Sequence, residues 1–130
     1  MKRIAVLLNP ACGKGKAPLL WRRLLCDFPK STAEMTLFVS RRAGETETLT
    51  RQIVREGFDR ILVLGGDGTL FEAVNGCADS SGNLPESVPA IATLPAGSSC
   101  DFLRNFPVSY RPDFVLTALQ NSSPTYLDLL

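Results

Sequence analysis

Apolar runs and helically spaced apolar residues alternate along this chain. Ile4 to Leu8 is wholly apolar and rich in branched residues, the pattern of a strand buried on both faces. Trp21, Leu24, Leu25 and Phe28 recur at helical spacing, and Pro29 closes that helix. Met35 to Val39 predicts a second strand, ending at Ser40-Arg41-Arg42. Leu49, Ile53 and Val54 line a helix that Gly57 terminates. Ile61 to Leu64 predicts a third buried strand. Leu70, Ala73, Val74 and Cys77 then recur at i, i+3, i+4 and i+7, a helix running to about Gly76. A polar loop follows, from Asp79 to Asn83 with Pro85. Val88 to Leu94 predicts a fourth strand, starting near Pro89. Asp113 to Gln120 is a last helix, with Pro112 at its start and Val115, Ala118 and Leu119 inward. Thr125 to Leu129 reads as the start of a further strand.

Repeated strand–helix alternation with short connections specifies an α/β fold. It is a three-layer, doubly wound, mostly parallel sheet with helices on both faces. The 130 residues form one domain, 1–130, large enough to bury a core. No repeat, low-complexity segment or internal boundary divides it.

In a parallel sheet the strands' C-terminal ends share one edge. Asn9, Ser40, Asp67 and Ser98 all fall just past predicted strand ends, so four polar loops converge on one crevice. The most informative loop is Gly65-Gly66-Asp67-Gly68-Thr69, between a strand and a helix. Backbone N–H groups and the positive end of the helix dipole favour an anion there. Glycines permit positive φ and close approach of a ligand. Asp67 repels phosphate unless a cation lies between them. The stretch therefore suggests a nucleotide phosphate chain held with Mg²⁺, which Asp67 faces directly or through water. A purely structural reading competes, because Thr69-x-x-Glu72 is a capping box and needs no ligand.

The first loop, Asn9-Pro10-Ala11-Cys12-Gly13-Lys14-Gly15-Lys16, is rich in glycine and lysine and also suits phosphate. It is not a P-loop: no glycine stands five residues before either Gly-Lys pair, and no Ser or Thr follows the lysine. Nor is it a dinucleotide Gly-x-Gly-x-x-Gly. Lys14 and Lys16 as solvated side chains remain the alternative. The Ser40 hydroxyl either meets a nucleotide or caps its own turn. Leu94-Pro95-Ala96-Gly97-Ser98-Ser99-Cys100-Asp101-Phe102 is a second small-residue turn with hydroxyls.

Composition removes some chemistry. The chain has no histidine, which excludes a Ser-His-Asp triad, a histidine base and any histidine-ligated metal. A net charge of +1 predicts no strong attraction to nucleic acid or acidic membrane. Cys12, Cys26, Cys77 and Cys100 form no Cys-x-x-Cys pair and read as free thiols of a reducing compartment. The apolar run after Met1-Lys2-Arg3 is too short for a signal peptide or a membrane span, so a cytoplasmic location is expected.

Taken together, the loops resemble the catalytic domain of the diacylglycerol kinase and sphingosine kinase family, over essentially the whole chain. Asn9-Pro10 with Gly13-Lys14 matches the family's first loop, and Ser40 stands where a Thr is usual. Gly65 to Thr69, with Glu72 and Asn75-Gly76, matches its central motif with the same spacing. Leu94 to Ser98 is similar to the sphingosine kinase form of the last loop. Cys100 stands where the family usually has Asn, and Phe71 replaces a usually polar residue. The resemblance implies a NAD kinase/diacylglycerol kinase-like N-terminal domain and ATP-dependent phosphorylation of a lipid hydroxyl. Asn9 and Ser40 would lie near the adenosine, and Gly66 to Thr69 and Ser98 near the phosphates. Pro10, Gly13, Gly65, Glu72 and Gly97 would belong to the same nucleotide site. Asp67 would position Mg²⁺ or assist deprotonation of the acceptor hydroxyl. Positioning and charge neutralisation are what phosphoryl transfer needs.

The resemblance also implies a second, β-rich domain beyond this chain, carrying much of the lipid site, and leaves peripheral membrane contact open to the full-length parent. The isolated chain is then expected to transfer phosphate poorly or not at all, and the acceptor lipid stays open. Two alternatives stand beside this reading. NAD kinases share Gly-Gly-Asp-Gly and the general fold, although their later Asn-Glu signature is not apparent. A non-catalytic nucleotide-binding regulatory module is the other. A receiver domain is excluded, since Asn9-Pro10 stands where an acidic pair is required. Cys12 and Cys100 lie in the nucleotide loops, where thiol modification would weaken binding if they are exposed. Trp21 is read as core.

Overall fold

The computed structural model describes residues 2–79, 81–95 and 111–121. The elements are β1 (Ile4–Leu8), α1 (Lys16–Asp27), α2 (Pro29–Thr32), β2 (Met35–Val39) and α3 (Glu45–Arg55), then β3 (Arg60–Gly65), α4 (Asp67–Gly76), β4 (Ala90–Pro95) and α5 (Pro112–Asn121). A 3-10 turn at Cys12–Gly15 separates β1 from α1. The four strands pair in parallel in the order β2-β1-β3-β4. The doubly wound α/β fold expected from the sequence is the fold observed.

Its two faces follow from the strand period of two. β1 and β3 are central, and every residue of both is buried. Ile4, Val6, Leu8, Leu62 and Leu64 point to one side, where α1 contributes Ala17, Trp21 and Leu24 and α5 contributes Val115, Leu116 and Leu119. Ala5, Leu7, Ile61 and Val63 point to the other, against Ile53 of α3, Phe58 and Ala73 of α4. A strand buried on both faces cannot alternate apolar with polar residues, which is why β1 and β3 are continuous apolar runs. On the second face α3 and α4 approach closely. A Cβ at Gly76 would sit 2.5 Å from the Glu47 carbonyl oxygen and 2.6 Å from Thr50 Cβ.

Several boundaries differ from the expected ones. Pro29 ends α1 but also starts α2, since proline's fixed φ suits a first helical position. Leu25 is 43% exposed, and Leu24 carries the core contact in its place. β4 starts at Ala90, leaving Val88 exposed. In α5 Leu116 is buried while Ala118 is only half-buried. The further strand predicted at 125–129 lies outside the described residues.

The strand order places the site. From β1 the chain winds outward to β2, then crosses back over β1 to β3 and continues to β4. The winding direction reverses between β1 and β3. The loops leaving these two strands therefore diverge to opposite faces and open a crevice at the C-terminal edge, where open α/β sheets bind ligands.

Candidate functional site

The two loops at that crevice are Asn9–Gly15 and Gly65–Thr69, and side chains tie them together. The Asn9 backbone N–H donates to the Leu64 carbonyl at 3.3 Å, extending the β1–β3 ladder by one residue. The Asn9 carbonyl then accepts from Cys12 N–H at 3.1 Å, closing a turn with Pro10 at its second position. Asparagine first and proline second are the residues such a turn favours. The Asn9 side-chain Oδ1 accepts from Ala11 N–H at 3.1 Å, and its Nδ2 donates to Thr69 Oγ1 at 3.2 Å. Asn9 thus shapes its own loop and anchors it to the start of α4.

Cys12 adds a second tie. Its Sγ accepts from Gly66 N–H at 3.0 Å and lies 3.8 Å from Thr69 Oγ1. Neither contact was expected from the sequence. The Gly66 amide that a phosphate could use is occupied by this sulfur. The remaining loop residues bend sharply: Lys14 has φ 57° and Gly15 φ 89°. A left-handed lysine is uncommon. Gly13 lies in the same 3-10 turn.

The central motif departs from expectation in two ways. First, its glycines do not use positive φ; the described glycines that do are Gly15, Gly44, Gly57 and Gly82. Gly65 is needed for space, because a Cβ there would sit 2.6 Å from Thr69 Oγ1 and 2.7 Å from Thr69 Cβ. Among the described residues a Cβ at Gly68 would meet nothing within 4 Å, and Gly68 is exposed, so open space faces it. Second, Thr69-x-x-Glu72 is not a capping box. The N-cap of α4 is Gly66, which offers no side-chain cap, and Asp67 is the first helical residue. Thr69 lies within the first turn, and its buried hydroxyl is held by Asn9 across the crevice. The cross-loop contact outcompetes the local cap.

An uncapped helix start leaves its first-turn N–H groups, including those of Gly68 and Thr69, without partners inside the helix. They sit at the positive end of the α4 dipole, with open space over Gly68. That is an anion-binding geometry. Asp67 is half-buried in the same turn. Among the described residues no group of three or more acidic or thiol side chains could cage a metal. One carboxylate beside a phosphate site is nevertheless the donor set that Mg²⁺ uses, since it keeps waters and shares phosphate oxygens. Glu72 stands one turn on from Gly68, and its Oε1 is buried without a hydrogen-bond partner among the described residues. Asp67 and Glu72 lie five residues apart, about 140° around the helix, so they do not converge on one ion.

Ser40 is turned inward. Its N–H donates to the Leu8 carbonyl at 2.9 Å, its hydroxyl lies 3.4 Å from the same oxygen, and the residue is buried. This is the turn-closing role. Gly97, Ser98 and Cys100 lie outside the described residues. The structure thus gathers Asn9, Cys12, Gly65, Gly66, Gly68 and Thr69 at one edge, with Asp67 and Glu72 on the same helix. Cys77 lies away from this edge, in the core, where burial pushes its thiol above its ordinary value. No helix among the described residues is long and apolar enough to cross a membrane.

The chain is similar to known proteins in sequence and in fold. The family model for the diacylglycerol kinase catalytic domain matches residues 3–130. A diacylglycerol kinase of Staphylococcus carnosus is 31% identical over 103 residues, covering 79% of this chain and 32% of that protein. Sphingoid long chain base kinase 4 of Schizosaccharomyces pombe is 26% identical over 130 residues, covering 99% of this chain and 28% of that protein. The crystal structure of a diacylglycerol kinase from Bacillus anthracis superimposes with a TM-score of 0.67 at 24% identity. That superposition covers 92% of this chain and 40% of the other, and it supports the fold. The chain spans about a third of the length of the two sequence relatives.

Proposed function

The chain belongs to the diacylglycerol kinase catalytic-domain family, and from that premise we propose that it is the ATP- and Mg²⁺-binding half of a lipid kinase. The observation that carries this reading is the uncapped start of α4 at the switch point, with open space over Gly68 and Asp67 in the same turn. Phosphoryl transfer depends on positioning and charge stabilisation, which such a turn supplies. In this reading the Gly68 and Thr69 amides would donate to phosphate oxygens. Asn9 and Cys12 hold the facing loop, so the crevice keeps its shape. Asp67 is the carboxylate that would hold Mg²⁺, and the metal would neutralise charge on the phosphates. The alternative role for Asp67 is to assist deprotonation of the acceptor hydroxyl. The lipid acceptor would be held by parts of the parent beyond this chain, and the isolated chain is proposed to transfer phosphate weakly.

Isothermal calorimetry of ATP with and without Mg²⁺ tests the reading, beside Asp67→Asn and with NAD as competitor. Magnesium-dependent ATP binding that weakens in Asp67→Asn is the expected result. Absence of ATP binding, or preference for NAD, would overturn it.

A further inference from the structure

We infer that Cys12 is an internal competitor of the nucleotide phosphates: its sulfur holds the Gly66 amide until a phosphate oxygen takes it. The inference rests on the nucleotide reading and goes beyond it, because a side chain of this chain then limits the affinity from within. Gly66 is the N-cap of α4, and its N–H stands beside the uncapped amides of the first turn. That N–H donates to Cys12 Sγ at 3.0 Å. The same sulfur lies 3.8 Å from Thr69 Oγ1, against the turn whose amides face the open space over Gly68.

The two acceptors are unequal. A thiol sulfur accepts hydrogen bonds weakly. A phosphate oxygen is anionic, and bonds to it are roughly twice as strong as neutral ones. The positive end of the α4 dipole favours the anion further. Phosphate therefore wins the amide, but its net gain is reduced by the bond that it replaces. The exchange asks only for rotation of one side chain. The Cys12 backbone is fixed independently, since its N–H donates to the Asn9 carbonyl at 3.1 Å. Asn9 Nδ2 in turn donates to Thr69 Oγ1 at 3.2 Å, so the loop stays tied to α4 without the sulfur. Cys12 is half-buried and also packs against the apolar cluster on the α1 side of the sheet. Cysteine behaves there as a small hydrophobe, which gives the displaced thiol a place to turn.

A purely structural clasp has the opposite signature. Loss of a clasp lowers stability and affinity together, whereas loss of a competitor lowers stability and raises affinity. The test is calorimetric titration of Mg²⁺-ATP into wild type, Cys12→Ala and Cys12→Ser, with melting temperatures of the same samples. Cys12→Ala is expected to melt about 2–4 °C lower and to bind ATP about threefold more tightly. Cys12→Ser keeps an acceptor, and the stronger one, so it should bind no more tightly than wild type. If wild type binds ATP and Cys12→Ala binds equally or more weakly, the inference is overturned and the nucleotide reading stands. Tighter binding by both variants would also overturn it, since the size of the side chain and not its acceptor would then be at work. If none of the three chains binds ATP, the nucleotide reading and the inference fall together.

Discussion

Gly65 and Gly68 stand three residues apart in one motif and serve opposite ends. A side chain on Gly65 would collide with Thr69, whereas a Cβ on Gly68 would meet none of the described residues within 4 Å. The first glycine lets β3 end beneath the helix it feeds. The second keeps open the space over an uncapped helix start. A sequence motif reports both as the same letter. The structure separates what the fold requires from what a ligand would require.

The largest effect that should follow is on stability at Gly65. Gly65→Ala forces overlap with Thr69 and should cost about 1–3 kcal/mol in urea denaturation. A loss below about 0.5 kcal/mol would erase the distinction between the two glycines. Asn9→Ala should come next. It removes the acceptor for Ala11 and the donor to Thr69, and should cost about 1–2 kcal/mol by the same measurement. Gly68→Ala should leave thermal stability within about 0.5 kcal/mol of wild type, because the position is exposed and open. Relief of the left-handed lysine by Lys14→Gly should raise stability slightly, by up to about 1 kcal/mol.

Cysteine chemistry sharpens the contrast between core and surface. Cys26 is exposed and Cys77 buried. Burial raises the Cys77 thiol, so its contribution to stability is present below the unfolded-state value and is lost as pH rises through the higher folded value. Thiol titration of the native chain should label Cys26 quickly and Cys77 only on unfolding. Rapid native labelling of Cys77 would contradict its place in the core.

Much of the fold was legible because β1 and β3 are buried on both faces, and continuous apolar runs such as Ile4–Leu8 have few alternatives. The crevice was legible for a related reason: in a parallel sheet, residues just past strand ends must share an edge. What stayed hidden were contacts between loops distant in sequence. Thr69-x-x-Glu72 satisfies a local capping rule, and only the approach of Asn9, 60 residues away, redirects the threonine hydroxyl. Cys12 carried no signal for its bond to Gly66, because a lone cysteine in a loop fits many roles. Ser40 looked like a site residue by position, yet its hydroxyl turns to Leu8.

The most direct test is calorimetric titration of Mg²⁺-ATP into wild type and Gly68→Ala, with melting temperatures measured on the same samples. Matched melting temperatures with at least a tenfold weaker affinity in Gly68→Ala, about 1.4 kcal/mol, is the predicted result. Equal affinities would mean that no phosphate lies over Gly68, and that the uncapped turn serves the fold alone.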